Sequence, residues 1–204
     1  MSTPIRLLLA DDQALVRGAL AALLGLESDL VVVAQVGRGD EVLAAATASD
    51  ADVCLLDIEM PGADGIEVAS ILKQQRPQSR SLIVTTFGRP GYLRRAVEAG
   101  ASGFVVKDTP AAELADAVRR VHAGLRVIDP TLATESLTDG DSPLTDRERE
   151  VLRAALSGAT VATIAGQVHL SAGTVRNYLS SAIGKTGANT RAEAAATAQS
   201  RGWL

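Results

Sequence analysis

The feature that most constrains this chain is an alternation. Short apolar runs at 5–10, 30–36, 52–57, 81–86 and 102–106 alternate with helix-period segments at 14–25, 39–49, 64–75, 90–99 and 110–123. Apolar runs of this length, bounded by turn residues such as Met60-Pro61-Gly62, read as strands buried on both faces. Five strands, each followed by a helix, predict a doubly wound parallel sheet of the α/β class. Pro110 suits the first turn of the fifth helix, with Thr109 or Asp108 as its cap, and Gly124 ends it.

The alternation stops at Gly124. Residues 125–142 have neither period and are rich in Pro130, Thr131, Thr134, Ser136, Thr138 and Gly140, which predicts a linker with a short helical turn around 130–136. Residues 143–204 form a second, all-α domain. Thr145 with Glu148 is a capping box ahead of Val151, Leu152 and Leu156. Further helices are expected at 160–167, from Ser171 to Gly184, and from Thr190 to Ser200. Aromatics are only 2% of the 204 residues, so both cores must be built from Ala, Val, Leu and Ile. The lone Cys54 lies inside a predicted buried strand and excludes a disulfide framework, which implies a reducing compartment. With no stretch approaching a membrane span and no signal peptide, a cytoplasmic protein is expected. No Cys/His cluster has zinc spacing; His122 and His169 read as surface or capping residues.

Ligands of open α/β sheets bind outside the carboxyl ends of the strands, which is where Asp57 falls. Asp11 and Asp12 close the first run, so two strand ends bring three carboxylates to one sheet edge. Such a cluster repels itself unless a hard divalent cation sits within it. This predicts a Mg²⁺ site at which Asp57 attacks a phosphoryl group.

Charge separates the halves. Residues 1–124 carry twelve basic and sixteen acidic side chains, whereas 143–204 carry seven and four. The stretch Ser171 to Arg191 holds Arg176, Lys185 and Arg191 and no acid, so the C-terminal part is the one suited to a polyanion.

The acid pair, the strand-end Asp57, Thr85-Thr86 and Phe104-Val105-Val106-Lys107, in this order, resemble a receiver domain of two-component response regulators over 1–124. Leu144-Thr145-x-Arg147-Glu148-x-Glu150-Val151-Leu152 and Gly173-Thr174-Val175-Arg176-Asn177-Tyr178 resemble a LuxR-type helix-turn-helix over 143–204. Together they are similar to the NarL/FixJ class. The resemblance implies Asp57 as phospho-acceptor, and Asp11, Asp12, Asp57 and the Glu59 backbone carbonyl as the Mg²⁺ set. It also implies Thr85 and Lys107 on the phosphoryl group, and Phe104 as the aromatic that turns inward when the threonine moves. Thr85, 28 residues after Asp57, is chosen over Thr86 because only one of two adjacent strand residues can face the site. Glu59 and Phe87 occupy the positions that tune phosphoryl lifetime, and apolar bulk at Phe87 is expected to shield the acyl phosphate from water.

In the second domain the resemblance makes Thr174 to Lys185 the recognition helix. Arg176, Asn177 and Ser180 share a face that can reach base edges, with Val175 beside them in the signature. Lys185 and Thr174 are better placed for phosphates, and Ser171, the cap of the helix, is counted with the DNA-binding residues. Tyr178 stands where many members have His, and Thr186 where a core Leu is usual. The patches Thr85-Thr86-Phe87-x-Arg89-Pro90-Gly91-Tyr92 and Gly202-Trp203-Leu204, together with Gly173-Thr174-Val175-Arg176-Asn177-Tyr178, further resemble the DesR subgroup, whose members act below a membrane-embedded histidine kinase.

The expected function is that of a DNA-binding transcription regulator rather than an enzyme. A sensor histidine kinase phosphorylates it, it forms a homodimer on phosphorylation, and its partners are an operator and, by extension, RNA polymerase. The face from Pro90 to Arg95 and the helix around Glu113–Val121 are both candidates for dimerisation. A Mg²⁺-dependent phosphatase on a similar sheet would place a second Asp two residues after its nucleophile. Here Glu59 stands there, and nothing suggests a substrate cap. A phosphorylation-dependent adaptor is the third reading, and the acid-free recognition segment speaks against it.

Overall fold

A computed structural model describes residues 3–86, 90–129 and 142–204, which fall into two compact units. In the first, β1 (Ile5–Ala10), β2 (Leu30–Val36), β3 (Val53–Leu56), β4 (Arg80–Thr85) and β5 (Gly103–Val106) alternate with helices. These are α1 (Ala14–Leu24), α2 (Val42–Ser49, entered through a 3-10 turn at Gly39–Glu41), α3 (Gly65–Gln75), α4 (Pro90–Ala99) and α5 (Ala111–His122). With a sixth strand, β6 (Val127–Ile128), the strands run parallel in the order β2-β1-β3-β4-β5-β6, so the topological switch lies between β1 and β3. One apolar cluster joins residues of α2, α3 and α4 to one sheet face, and a second joins α1 and α5 to the other. β3 is buried at every position, as a strand covered on both faces must be.

The sheet has six strands, one more than expected. β6, Val127–Ile128, pairs with Gly103 and Phe104 inside the stretch expected to be linker. The chain reaches it through a Schellman turn: Gly124 (φ +87°) donates to the Val121 carbonyl and Leu125 to that of Arg120. The start of α5 also differs from expectation. Pro110 itself is the N-cap, in extended conformation, and neither Thr109 nor Asp108 caps. Proline has no N–H to leave unpaired there, and its carbonyl takes the first helical bond, from Leu114. The helical turn expected around 130–136 lies outside the described residues.

The second unit holds α6 (Asp146–Ala155), α7 (Val161–Gln167), α8 (Ala172–Thr186) and α9 (Arg191–Ser200) around one apolar cluster. Each begins on a hydroxyl cap: Thr145, Thr160, Ser171 and Thr190 accept from the amides of Glu148, Thr163, Thr174 and Glu193. Such caps are worth about 1 kcal/mol each, which matters for helices this short. Thr186 satisfies its hydroxyl on the Ala182 and Ile183 carbonyls, so its polar group costs the core little. Trp203 packs against the domain core while Arg201 lies 4.9 Å over its ring. Among the described residues, no helix is long and apolar enough to cross a membrane.

Candidate functional sites

The acid site is assembled by strand register. Ala10 pairs with Leu56, and the Asp57 amide donates to the Ala10 carbonyl at 2.8 Å, so the residues just past β1 and β3 lie side by side. Asp11, Asp12 and Asp57 each offer a carboxylate oxygen within 4.8 Å of the others. Asp11 and Asp57 are buried and Asp12 is exposed. The Lys107 amide donates to the Thr85 carbonyl, which aligns the ends of β4 and β5. Lys107 Nζ then reaches 2.7 Å from Asp11 and 3.3 Å from Asp57.

One ammonium facing three carboxylates leaves a deficit of positive charge. Burial pushes the Asp57 carboxyl up to about 6; Asp11 adds to the rise, while Lys107 and the Ile58 amide oppose it. Lys107 Nζ is itself buried without a well-aligned acceptor, so its contacts here are ionic and its donors are not used up. An all-oxygen donor set of clustered carboxylates suits Mg²⁺, and an under-used buried ammonium suits an incoming anion. The residues therefore fit both groups.

Beside Asp57 opens a cleft of about 290 Å³ lined by Asp12, Gln13, Glu59, Thr85, Thr86 and Tyr92. Thr85 is buried and Thr86 exposed, though both border the cleft. Glu59 is exposed at its rim. Phe104 already points inward, at 1% exposure in the core. Phe87 lies outside the described residues.

Four residues were not assigned to this site from the sequence. Gln13 and Tyr92 line the cleft. Arg95 lies 5.9 Å over the Tyr92 ring and pairs with Asp64, the N-cap of α3. Gly65 opens α3, where a Cβ would fall 2.0 Å from the Asp57 carbonyl oxygen. The Pro61-Gly62 turn advertised a loop, but no one-dimensional signal marks the close approach at Gly65.

In the second unit α8 carries the candidate nucleic-acid residues. Arg176, Asn177 and Ser180 are exposed, and the side chains of Arg176 and Asn177 have no hydrogen-bond or ion-pair partner among the described residues. Ser171 caps the helix and shares a 2.8 Å hydrogen bond with the Thr174 hydroxyl. Val175 is a correction: it is wholly buried in the domain core, because it lies on the face of α8 opposite the exposed residues, and it cannot reach DNA. Lys185 is a second: its ammonium sits 2.7 Å from the buried Glu148 carboxylate, which commits the cation to the fold rather than to a phosphate. Glu148 also accepts from Ser181 Oγ and the Thr145 amide, both at 2.6 Å. Burial raises its carboxyl, but the donors Lys185, Ser181 and Thr145 outweigh that and hold it at about 2.

A doubly wound sheet with this acid cluster, in one chain with a capped four-helix module of which one helix presents exposed Arg and Asn, is the makeup of a two-component response regulator. Family comparison agrees: residues 7–119 match the response regulator receiver domain and residues 142–198 the bacterial regulatory proteins of the luxR family. The chain belongs to the NarL/FixJ class of response regulators, with a LuxR-type DNA-binding domain. Among its relatives, the uncharacterized transcriptional regulatory protein YvfU of Bacillus subtilis is 46% identical over 98% of this chain and 100% of its own length. Transcriptional regulatory protein DesR of the same organism is 41% identical over 98% of this chain and 99% of its own length. The crystal structure of response regulator ChrA, from a heme-sensing two-component system, is 30% identical, covers 100% of both chains and superposes with a TM-score of 0.60.

Proposed function

We propose that Asp57 accepts a phosphoryl group from a phosphohistidine of a sensor kinase and that this modification pairs two copies of the chain on an operator. The observation that carries the reading is the charge imbalance at Asp57: a buried carboxylate, close to two others, shares a single ammonium. Mg²⁺, when bound, neutralises the carboxylates and the incoming phosphoryl oxygens. Asp12 and Asp57 would hold it directly, Asp11 through water, and Glu59 through its backbone carbonyl.

The chain's own residues do the rest. An Asp57 oxygen forms the P–O bond while the donor's P–N bond breaks and the kinase imidazole leaves. Lys107 turns from an ion-pair partner of two acids into one of the phosphoryl group, and the Thr85 hydroxyl donates to a phosphoryl oxygen. Phe104, already inside, stabilises the rearranged end of β4 by packing. Phe87 and Glu59 set how fast water removes the group. Homodimerisation through a receiver face, with Pro90 to Arg95 and α5 as candidates, then brings two α8 helices to DNA. Arg176, Asn177 and Ser180 read bases, while Ser171 and Thr174 hold phosphates. One module contacts few phosphates and binds weakly, so pairing two raises affinity through effective concentration. The reading places the protein in the cytoplasm beneath a membrane-embedded kinase, with RNA polymerase as the downstream partner and no turnover of its own.

The test is footprinting of genomic fragments with and without a small phosphodonor, on wild type and Asp57→Ala. Protection should need both the donor and Asp57. Equal protection by Asp57→Ala would sink the proposal.

A further inference from the structure

The cleft beside Asp57 is walled mostly by groups that hold water: Asp12, Gln13, Glu59 and Thr86 are all exposed. Its volume of about 290 Å³ leaves room for several waters, at roughly 30 Å³ each, beside a phosphoryl group. An acyl phosphate on Asp57 is lost when a water oxygen bonds to phosphorus and the P–O bond to Asp57 breaks. The Asp57 carboxylate and inorganic phosphate remain, and a water proton passes to solvent. How long the group survives therefore depends on the walls that deny water its approach.

Among the described lining residues one alone is aromatic: Tyr92, at 8% exposure. It belongs to the apolar cluster that also takes in Ile58 and Met60, the two neighbours of Glu59 in the loop after Asp57. Arg95, one turn further along α4, lies 5.9 Å over the Tyr92 ring, and its Nη2 is 3.3 Å from Asp64 Oδ2. The other Asp64 oxygen accepts from the Glu67 amide at 2.7 Å and so caps α3. Gly65 then donates its amide to the Ile58 carbonyl at 3.0 Å and packs its backbone against the Asp57 carbonyl. The loop that carries Glu59 is thus tied across 31 residues of chain to the helix that carries Tyr92.

Stability does not account for this tie. The Arg95 and Asp64 side chains are 29% and 40% exposed, and an ion pair that open adds little to a fold. The cap does not need it either, since the oxygen that caps α3 is not the one that meets Arg95. What the pair fixes is the position of the Tyr92 ring relative to the Asp57 loop.

We propose that the Tyr92 ring shields the acyl phosphate from attacking water, and that Arg95, anchored on Asp64, is the positioning residue that holds the ring there. This role rests on the reading given for Asp57. It puts part of the control of phosphoryl lifetime on α4, beyond Glu59 and Phe87.

The test times phosphoryl loss by intact mass, on full chains charged with acetyl phosphate and Mg²⁺ and then freed of donor. Tyr92→Ala should lose the group about tenfold faster than wild type. Tyr92→Phe keeps the ring and should stay within about twofold of wild type. Arg95→Gln and Asp64→Asn leave the ring in place but untied, and each should speed the loss by about two- to fivefold. Their double variant should be no faster than either alone, because both break the same link. These two positions are partly exposed, so they carry the test should Tyr92→Ala fail to fold. Wild-type rates in Tyr92→Ala, or in Arg95→Gln and Asp64→Asn together, would overturn the proposal. So would a Tyr92→Phe as fast as Tyr92→Ala, which would move the role to the hydroxyl. A wild type that gains no phosphoryl mass, or an Asp57→Asn that gains it, overturns the Asp57 reading itself and shows before any loss is timed.

Discussion

Glu148 in the DNA-binding domain and Asp57 in the receiver are both carboxylates at 5% exposure or less, yet they lie at opposite ends of the ionisation scale. Glu148, met by an ammonium, a hydroxyl and an amide, stays ionised to about 2. Asp57, sharing one lysine with Asp11, is pushed up to about 6. Surface exposure does not separate them; the deeper desolvation of Asp57 and the fuller set of donors around Glu148 do. A carboxylate with its donors in place holds a fold together, and one without them is poised for a cation or a phosphoryl group.

Removing each acid should therefore act in opposite directions. Glu148→Ala strips the partners from Lys185, Ser181 and the Thr145 amide at once. It should destabilise the C-terminal domain by about 2–4 kcal/mol, the range for breaking a buried, hydrogen-bonded ion pair. Trp203 is the only tryptophan and lies in this domain, so its fluorescence in urea isolates the transition. Since the folded value of Glu148 lies below its ordinary 4.5, its contribution is intact above that pH and lost as pH falls toward about 2. A transition indifferent to Glu148→Ala would erase the contrast.

Asp57→Asn should instead stabilise the metal-free receiver by about 1–2 kcal/mol at neutral pH, because it removes an ionised group from a site that opposes its charge. The folded Asp57 value of about 6 exceeds its ordinary 3.8, so between those values the folded form holds the extra proton. Metal-free stability then rises as pH is lowered through that window and is flat above it. Added Mg²⁺ competes with that proton, so its stabilising effect should be full above pH 6 and fade below it. Thermal unfolding of the receiver against pH, with and without Mg²⁺, measures both; a Mg²⁺ effect that grew on acidification would reverse the assignment.

Such contrasts are only half legible in a sequence. The strand–helix alternation gives β1 and β2 to the residue, because runs such as Ile5–Ala10 and Leu30–Val36 are set by local apolarity. β6 escapes because two residues carry no periodicity, and they become a strand only by pairing with Gly103 and Phe104. Asp11, Asp12, Asp57 and Lys107 are legible because each follows a recognisable strand. Glu148 is legible as half of a capping box with Thr145, but its bonds to Ser181 and Lys185 span 33 and 37 residues and leave no local trace. Val175 fails for a related reason: a signature motif mixes residues that touch DNA with residues that hold the helix, and only burial distinguishes them.

Lys185 gives the smallest effect and the finest test. Its side chain is about a third exposed, and Glu148 keeps Ser181 and Thr145 when the lysine is lost. Lys185→Met should therefore cost the domain only about 1 kcal/mol, well short of Glu148→Ala. Binding to DNA offers an independent readout. A lysine that neutralised a phosphate would contribute about 0.9 to the slope of log affinity against log salt, whereas a lysine spent on Glu148 contributes nothing. Lys185→Met should leave that slope unchanged. Arg176→Ala should lower specific affinity by the roughly 1–3 kcal/mol of a base contact. A slope reduced in Lys185→Met would return Lys185 to the DNA interface and make Glu148 a carboxylate whose partner leaves when the operator arrives.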